Sequence, residues 1–381
     1  MKKKTDILHA AAARDKQTGA LSIPVVHAST YHQSDIEKSQ EWEYGRSGNP
    51  TRCELEKLLA ALEGAAGGFA FSSGMAALTT AITSFVKSGD HIVAAKDIYG
   101  GTYRLLTTYL RKFDVTCTFV DTSDPGSVEK AIGKNSRVLL LETPSNPLLK
   151  ITDVAAMVSV AKKHDLLTII DNTFLTPYLF RPLDLGVDIS VHSATKFLGG
   201  HSDLIAGAVM TKTAEQAKAV KKVQNTCGNI LGPTDSWLLI RGIKTLSARM
   251  DVQCRSAETL ANWLLTQPWV SQVFYPGLKD HPDHQIISAQ ASGFGAVISF
   301  KTDTVQRAIK IMKQVKIWSV AVSLGGVESI LSYPTMMSHA AIPAAEKQML
   351  GITDNLIRLS VGLEDCADLI DDLKNAAESD N

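Results

Sequence analysis

The apolar positions of this chain fall into two alternating rhythms. Short apolar runs at residues 69–71, 91–95, 115–120, 137–141, 166–171, 187–191 and 204–210 read as buried strands. Between them the period changes to that of a helix. Residues 53–62 put Leu55, Leu58, Leu59 and Leu62 on one face. Further helices are predicted at 76–86, from Thr102, between the strands at 115–120 and 137–141, and at 152–164. This alternation predicts an α/β protein with a mostly parallel central sheet and helices on both faces. One long helix is predicted from Pro233 towards Trp263, connecting this unit to a second. There the strands are fewer, at 270–275, 296–300 and 356–361, flanked by helices at 305–316 and 365–376. Residues 1–46 are polar and rich in turn formers. Such an arm buries little surface alone and is expected to be disordered or packed on another subunit. The expected organisation is an arm at 1–46, a larger domain at 47–242 and a smaller C-terminal α/β domain at 243–381.

Composition narrows the class. The chain has 381 residues, 45% of them hydrophobic, enough for a large core. Lys and Arg total 39 and so do Asp and Glu, which leaves no basic excess to draw nucleic acid or an anionic membrane. No apolar run approaches the length of about 20 residues that a membrane span needs. Lys2, Lys3 and Lys4 are followed by Thr5 and Asp6 without an apolar core, so no secretory leader is expected. Five scattered cysteines form no C-x-x-C pair, which suggests neither zinc nor a disulfide framework. The sequence reads as a cytoplasmic protein. His281-Pro282-Asp283-His284 reads as a polar turn rather than a metal site, and no glycine-rich nucleotide loop occurs.

The chemistry concentrates at Ser193-Ala194-Thr195-Lys196, just past the apolar run 187–191. Lysine is seldom buried. Near a pocket it can lose its proton and form a Schiff base with an aldehyde. Ser193 and Thr195 offer hydroxyls to a phosphate beside it. Read alone, the stretch is equally a strand-to-loop junction with a solvated lysine. The run 166–171 ends in Asp171, where open α/β sheets bind ligands. A carboxylate there can keep a pyridine nitrogen protonated, although a capping Asp is a common alternative. The two together favour pyridoxal 5′-phosphate (PLP). Ser72-Ser73-Gly74-Met75 opens a helix, serving equally as an ordinary Ser cap or as an anion cradle through the Gly74 and Met75 amides.

These residues, with Tyr44-Gly45-Arg46, Tyr99-Gly100-Gly101-Thr102, Glu142-Thr143-Pro144-Ser145-Asn146-Pro147, Ser323-Leu324-Gly325-Gly326 and Arg358-Leu359-Ser360-Val361-Gly362, run in order along the chain. In that order the sequence resembles the Cys/Met-metabolism family of PLP enzymes, of the aspartate-aminotransferase fold type. The resemblance implies the PLP-dependent transferase fold, with 47–242 as the PLP-binding domain. It implies Lys196 as the Schiff-base lysine, with Asp171, Ser193, Thr195, Gly74, Met75 and Asn146 around the cofactor. Tyr99 would stack on the pyridine ring, where the residue alone reads as a loop tyrosine. Tyr44 and Arg46 would reach a neighbour's cofactor phosphate, in a homotetramer built from dimers with shared active sites. Read alone, Arg46 is a solvated charge. Arg358, set between apolar neighbours, would grip a substrate α-carboxylate. Ser323 would support that carboxylate or the lysine.

Tyr99 and Tyr44 are expected to join Lys196 in catalysis, and Asn146 and Val322 to touch substrate. In many γ-acting relatives an acid precedes the Ser-Leu-Gly-Gly motif. Here Val322 stands there, which favours β-elimination of cystathionine to homocysteine, pyruvate and ammonia. A γ-synthase or γ-lyase is the alternative. A PLP-fold protein that only binds or assembles is a third option, opposed by the intact Lys196, Asp171, Tyr99 and Arg358.

Overall fold

The computed structural model describes residues 2–10, 15, 17–338, 340 and 343–379. Seven strands form the larger sheet: β1 (Gly67–Phe71), β2 (His91–Ala95), β3 (Thr116–Val120), β4 (Ser136–Glu142), β5 (Leu167–Asp171), β6 (Ile189–His192) and β7 (Gly207–Thr211). Their order is β1-β7-β6-β5-β4-β2-β3. Pairing from β3 across to β6 is parallel, and β7 runs antiparallel to both β6 and β1. Helices pack on both faces over two large apolar clusters. Residues 138–142 of β4 and 189–192 of β6 are buried throughout, because a sheet covered on both sides leaves neither face to water.

Local chemistry starts and stops the elements. The helix Pro50–Glu63 begins with Asn49, whose side chain accepts from Thr51 N and Arg52 N, and ends at Gly64 with φ +65°. The helix Gly74–Thr83 begins two residues earlier than the periodicity predicts, because Ser73 caps it by accepting from Ala76 N. The helix Ala214–Cys227 escaped sequence reading. Its face is mostly polar, with only Val220 and Gln224 buried.

The predicted long helix is two helices, Pro233–Lys244 and Leu246–Leu264. Thr245 breaks it at φ −100°, ψ 0°, with its hydroxyl donating to Gly242 O at 3.0 Å. The break lets Gly242 pack on the loop after Lys196. A Cβ there would lie 2.2 Å from Gly199 O.

The smaller sheet contains β8 (Val270–Phe274), β9 (Val297–Thr302), β10 (Ser319–Val320), β11 (Ile330–Ser332) and β12 (Leu356–Ser360), ordered β10-β11-β12-β9-β8. All its pairings are antiparallel except β10 with β11. Near the N-terminus, a helix at Lys3–His9 buries Ile7 in the main core, and Lys4 pairs with Asp251. The start of the arm therefore docks on its own chain. Farther along, Asn49 Nδ2 donates to Val26 O and Thr51 Oγ1 to Pro24 O. Among the described residues, no helix is long and apolar enough to cross a membrane.

Candidate active site

Parallel strands all end at one edge, and there the sequence places its acids. Glu142 closes β4 and Asp171 closes β5, in register with each other. One strand further, β6 leads into Ser193. Thr173 pins Asp171, its N and Oγ1 both donating to Asp171 Oδ1 at 3.0 and 2.5 Å. The same Oγ1 accepts from Ser193 N at 2.8 Å, tying the two strand ends together. Burial raises the Asp171 carboxyl above its usual range, although the Thr173 bonds oppose the shift. Burial and the neighbouring Asp171 push Glu142 well above it too. Glu142 Oε2 accepts from Tyr99 N at 2.9 Å and so fixes the loop that carries that tyrosine.

Gly74 and Met75 open a helix aimed at this edge. Their N–H groups have no intrahelical carbonyl to bond. Only glycine fits at 74, since a Cβ would lie 2.8 Å from Ser193 Cβ and 2.9 Å from Ser193 Cα.

Lys196 Nζ donates to Ser323 Oγ at 2.6 Å. Burial, with the nearby Arg358 charge adding to it, lowers its pKa to about 8. Arg358 is itself buried and pulled down to about 10 by desolvation. Its Nη1 donates to Asn146 Oδ1 at 2.9 Å and its Nη2 to Ser323 O at 2.8 Å, while Nε has no partner. Ser323 takes φ +94°, a conformation that L residues seldom adopt. That twist turns its hydroxyl to Lys196 and its carbonyl to Arg358.

Together these groups line one cavity of about 520 Å³. Of the residues singled out from sequence, Gly74, Met75, Tyr99, Asn146, Asp171 and Ser193 meet there. So do Thr195, Lys196, Val322, Ser323 and Arg358. Thr195 is differently engaged than expected, because its hydroxyl donates to Ala206 O and accepts from Ala206 N. Val322 is 64% exposed at the cavity.

Tyr44 and Arg46 do not line the cavity. Tyr44 is exposed, and Arg46 lies 5.6 Å from its ring centre while donating to Asn225 Oδ1 at 3.1 Å. Sequence reading missed Glu142 and Thr173 as site residues. Both follow from one rule: ligands bind at the carboxyl ends of parallel strands. Among the described residues, no group of three or more His, Cys, Asp or Glu could hold a metal ion. His284 opens the helix His284–Gln290 rather than lying within a turn, and its Nδ1 is 2.8 Å from Pro276 O.

A partly neutral lysine facing a covered parallel sheet's carboxyl edge, with an anion cradle opposite, defines an enzyme that works through an aldehyde cofactor. The sequence model of the Cys/Met metabolism PLP-dependent enzymes matches residues 4–378, and the chain belongs to that family. It is 48% identical over 379 residues to a cystathionine γ-lyase of Bacillus subtilis, covering 100% of both chains. It is 49% identical over 372 residues to a cystathionine β-lyase of the same organism, covering 98% of this chain and 95% of that one. The crystal structure of a cystathionine γ-lyase from Lactobacillus plantarum complexed with L-serine superposes with a TM-score of 0.97. That structure is 46% identical, with 99% of this chain and 98% of the other covered.

The residues present fit PLP, the family's cofactor. The helix at Gly74 offers unengaged N–H groups to a phosphate, and the missing Cβ leaves room beside Ser193. Both Thr173 bonds fall on Asp171 Oδ1, which leaves Oδ2 for a ring nitrogen.

Proposed function

We propose that this chain catalyses β-elimination of cystathionine, which with one water gives homocysteine, pyruvate and ammonia. PLP, when bound, supplies an electron-accepting ring conjugated to the substrate's α-carbon, so that a proton can leave that carbon and a thiolate can leave the next. Lys196 would hold the cofactor, and Asp171 would keep its ring nitrogen protonated. The freed Lys196 Nζ would take the α-proton. A pKa of about 8 makes the free amine a base near neutral pH. Arg358 grips the α-carboxylate, with its unpartnered Nε facing no protein acceptor and its Nη1 oriented by Asn146 Oδ1. Ser323 Oγ holds Lys196 Nζ in place while that carboxylate is bound.

The observation that carries the choice of β-chemistry is Val322. It puts an apolar side chain at the cavity where an acid would offer the distal end of the substrate a polar contact. The γ-lyase reading has its own support in the B. subtilis relative at 48% identity. Keto-acid identification separates the two. Purified enzyme given cystathionine is expected to form pyruvate faster than 2-oxobutyrate, and mainly 2-oxobutyrate would overturn the β-lyase reading.

The active site is also proposed to be shared between subunits. Tyr44 and Arg46 are exposed and lie outside this chain's own cavity, as residues serving a neighbour's cavity would. Such sharing fits a homotetramer built from dimers.

A further inference from the structure

On the helix Leu246–Leu264 the buried polar side chains Arg249 and Gln253 lie one turn apart, and neither touches the cavity. Arg249 Nη2 donates to Gly242 O at 2.9 Å and reaches Leu198 O at 3.5 Å, on the loop that follows Lys196. Gln253 is 0% exposed. Its Nε2 donates to Gly326 O at 2.8 Å and to Val361 O at 3.0 Å. Gly326 closes the loop that begins at Ser323, and Val361 follows β12, which carries Arg358. Both hydrogens of one NH₂ group are thus spent on bridging the two segments that present the carboxylate grip. The Oε1 atom is buried without a partner, a cost that makes sense only if the donors matter. A second bond, Gly325 N to Ser360 Oγ at 2.8 Å, spans the same two segments.

We propose that Gln253 is a positioning residue for substrate carboxylate binding. By tying the 323–326 loop to the end of β12, it keeps Arg358 Nη2 on Ser323 O. The proposal rests on the reading of Arg358 as the carboxylate grip. Lys196's own loop is held separately by Arg249, so cofactor retention does not depend on Gln253.

The test uses the PLP-loaded enzyme and two isosteric variants. Gln253→Met keeps the volume and removes both donors. Gln253→Glu, when ionised, turns an acceptor towards two carbonyl oxygens, and when protonated it regains one donor. Binding of L-alanine, which has no β-leaving group, is followed by the visible absorbance of the cofactor. Ethylamine, an amine without the carboxylate, is titrated in parallel. Gln253→Met is expected to keep its PLP and its ethylamine affinity but to bind L-alanine about tenfold more weakly, the size of losing one to two net hydrogen bonds. KM for cystathionine should rise by a similar factor with kcat little changed. In Gln253→Glu the loss should shrink as pH falls and the carboxyl protonates.

Unchanged L-alanine binding in both variants, or equal losses for L-alanine and ethylamine, would overturn the positioning role. Arg358→Lys separates the two readings. If it weakens L-alanine binding while the Gln253 variants do not, only the Gln253 proposal fails. If it has no effect on L-alanine, the carboxylate reading of Arg358 fails and the Gln253 proposal falls with it.

Discussion

Replacing Gly74 with alanine tests the cofactor cradle by a single methyl group. The added Cβ would lie 2.8 Å from Ser193 Cβ and 2.9 Å from its Cα and Oγ. A flexible side-chain end could swing away, but Ser193 Cα cannot. Its neighbouring N–H is donated to Thr173 Oγ1 at 2.8 Å, and Thr173 in turn holds Asp171. Relief must therefore come from moving the helix start or the end of β6, and both frame the cavity. Overpacking of this kind costs about 1–3 kcal/mol. Alanine also restricts the unfolded chain, returning about 0.4–1 kcal/mol. Net destabilisation is then only about 0–2.5 kcal/mol, so melting temperature is a weak reporter. Cofactor affinity carries no such compensation: where the folded chain relieves the clash by shifting the helix start or the end of β6, PLP binding must restore the geometry those two segments frame, and the strain returns as lost affinity. The expected loss is about 5- to 150-fold in the dissociation constant of PLP, the same 1–3 kcal/mol expressed as binding. Apoprotein titrated with PLP and followed by visible absorbance measures it. Gly133→Ala is the control, since a Cβ there meets nothing within 4 Å. A Gly74→Ala variant with the affinity of wild type would refute the cradle.

Three further outcomes are expected. Val322→Glu should slow pyruvate formation from cystathionine no more than about fivefold, because a side chain at a 64% exposed position keeps much of its water; a larger share of 2-oxobutyrate would mark Val322 as the reaction selector, and an unchanged product ratio would remove it from that role. Mixing inactive Lys196→Ala with inactive Arg46→Ala subunits should restore partial activity, and a proven subunit exchange without recovery would refute a shared site. In the apoprotein, Lys196 has a folded pKa of about 8 against an ordinary 10.5, so between those values the unfolded chain binds the extra proton and stability should rise with pH. Lys196→Met should lack that rise, and parallel melting curves of the two apoproteins from pH 7 to 11 would contradict the depressed pKa.

Much of this protein could be read before any coordinates. Strands β2, β4 and β5 stood out because burial on both faces leaves unbroken apolar runs with sharp ends. Asp171 and Lys196 stood out for the same reason, since a charged residue at the end of such a run has few structural uses. Ordered motifs along the whole chain then pointed to one family.

What composition hid was whatever depends on contacts between distant segments. The helix Ala214–Cys227 is mostly solvated and carries little apolar signal. The break at Thr245 lets Gly242 seat on the Lys196 loop, a contact that no local period encodes. β10 and β11 span two and three residues, too short to show alternation, and exist through pairing that leads back to β12.

The site divides along the same line. Sequence alone picked out most of the reactive side chains that meet in the cavity, Glu142 and Thr173 excepted, because reactivity belongs to the side chain. Tertiary structure decided what state they are in. Lys196 gives up its proton more readily than an ordinary lysine because folding buries it beside Arg358, 162 positions away along the chain. Ser323 joins the two because its backbone is turned to φ +94°, and Gln253 ties that turn to β12 from a third segment. Desolvation and hydrogen-bond geometry arise only when distant parts of the chain close around one volume, so neither is written in local sequence.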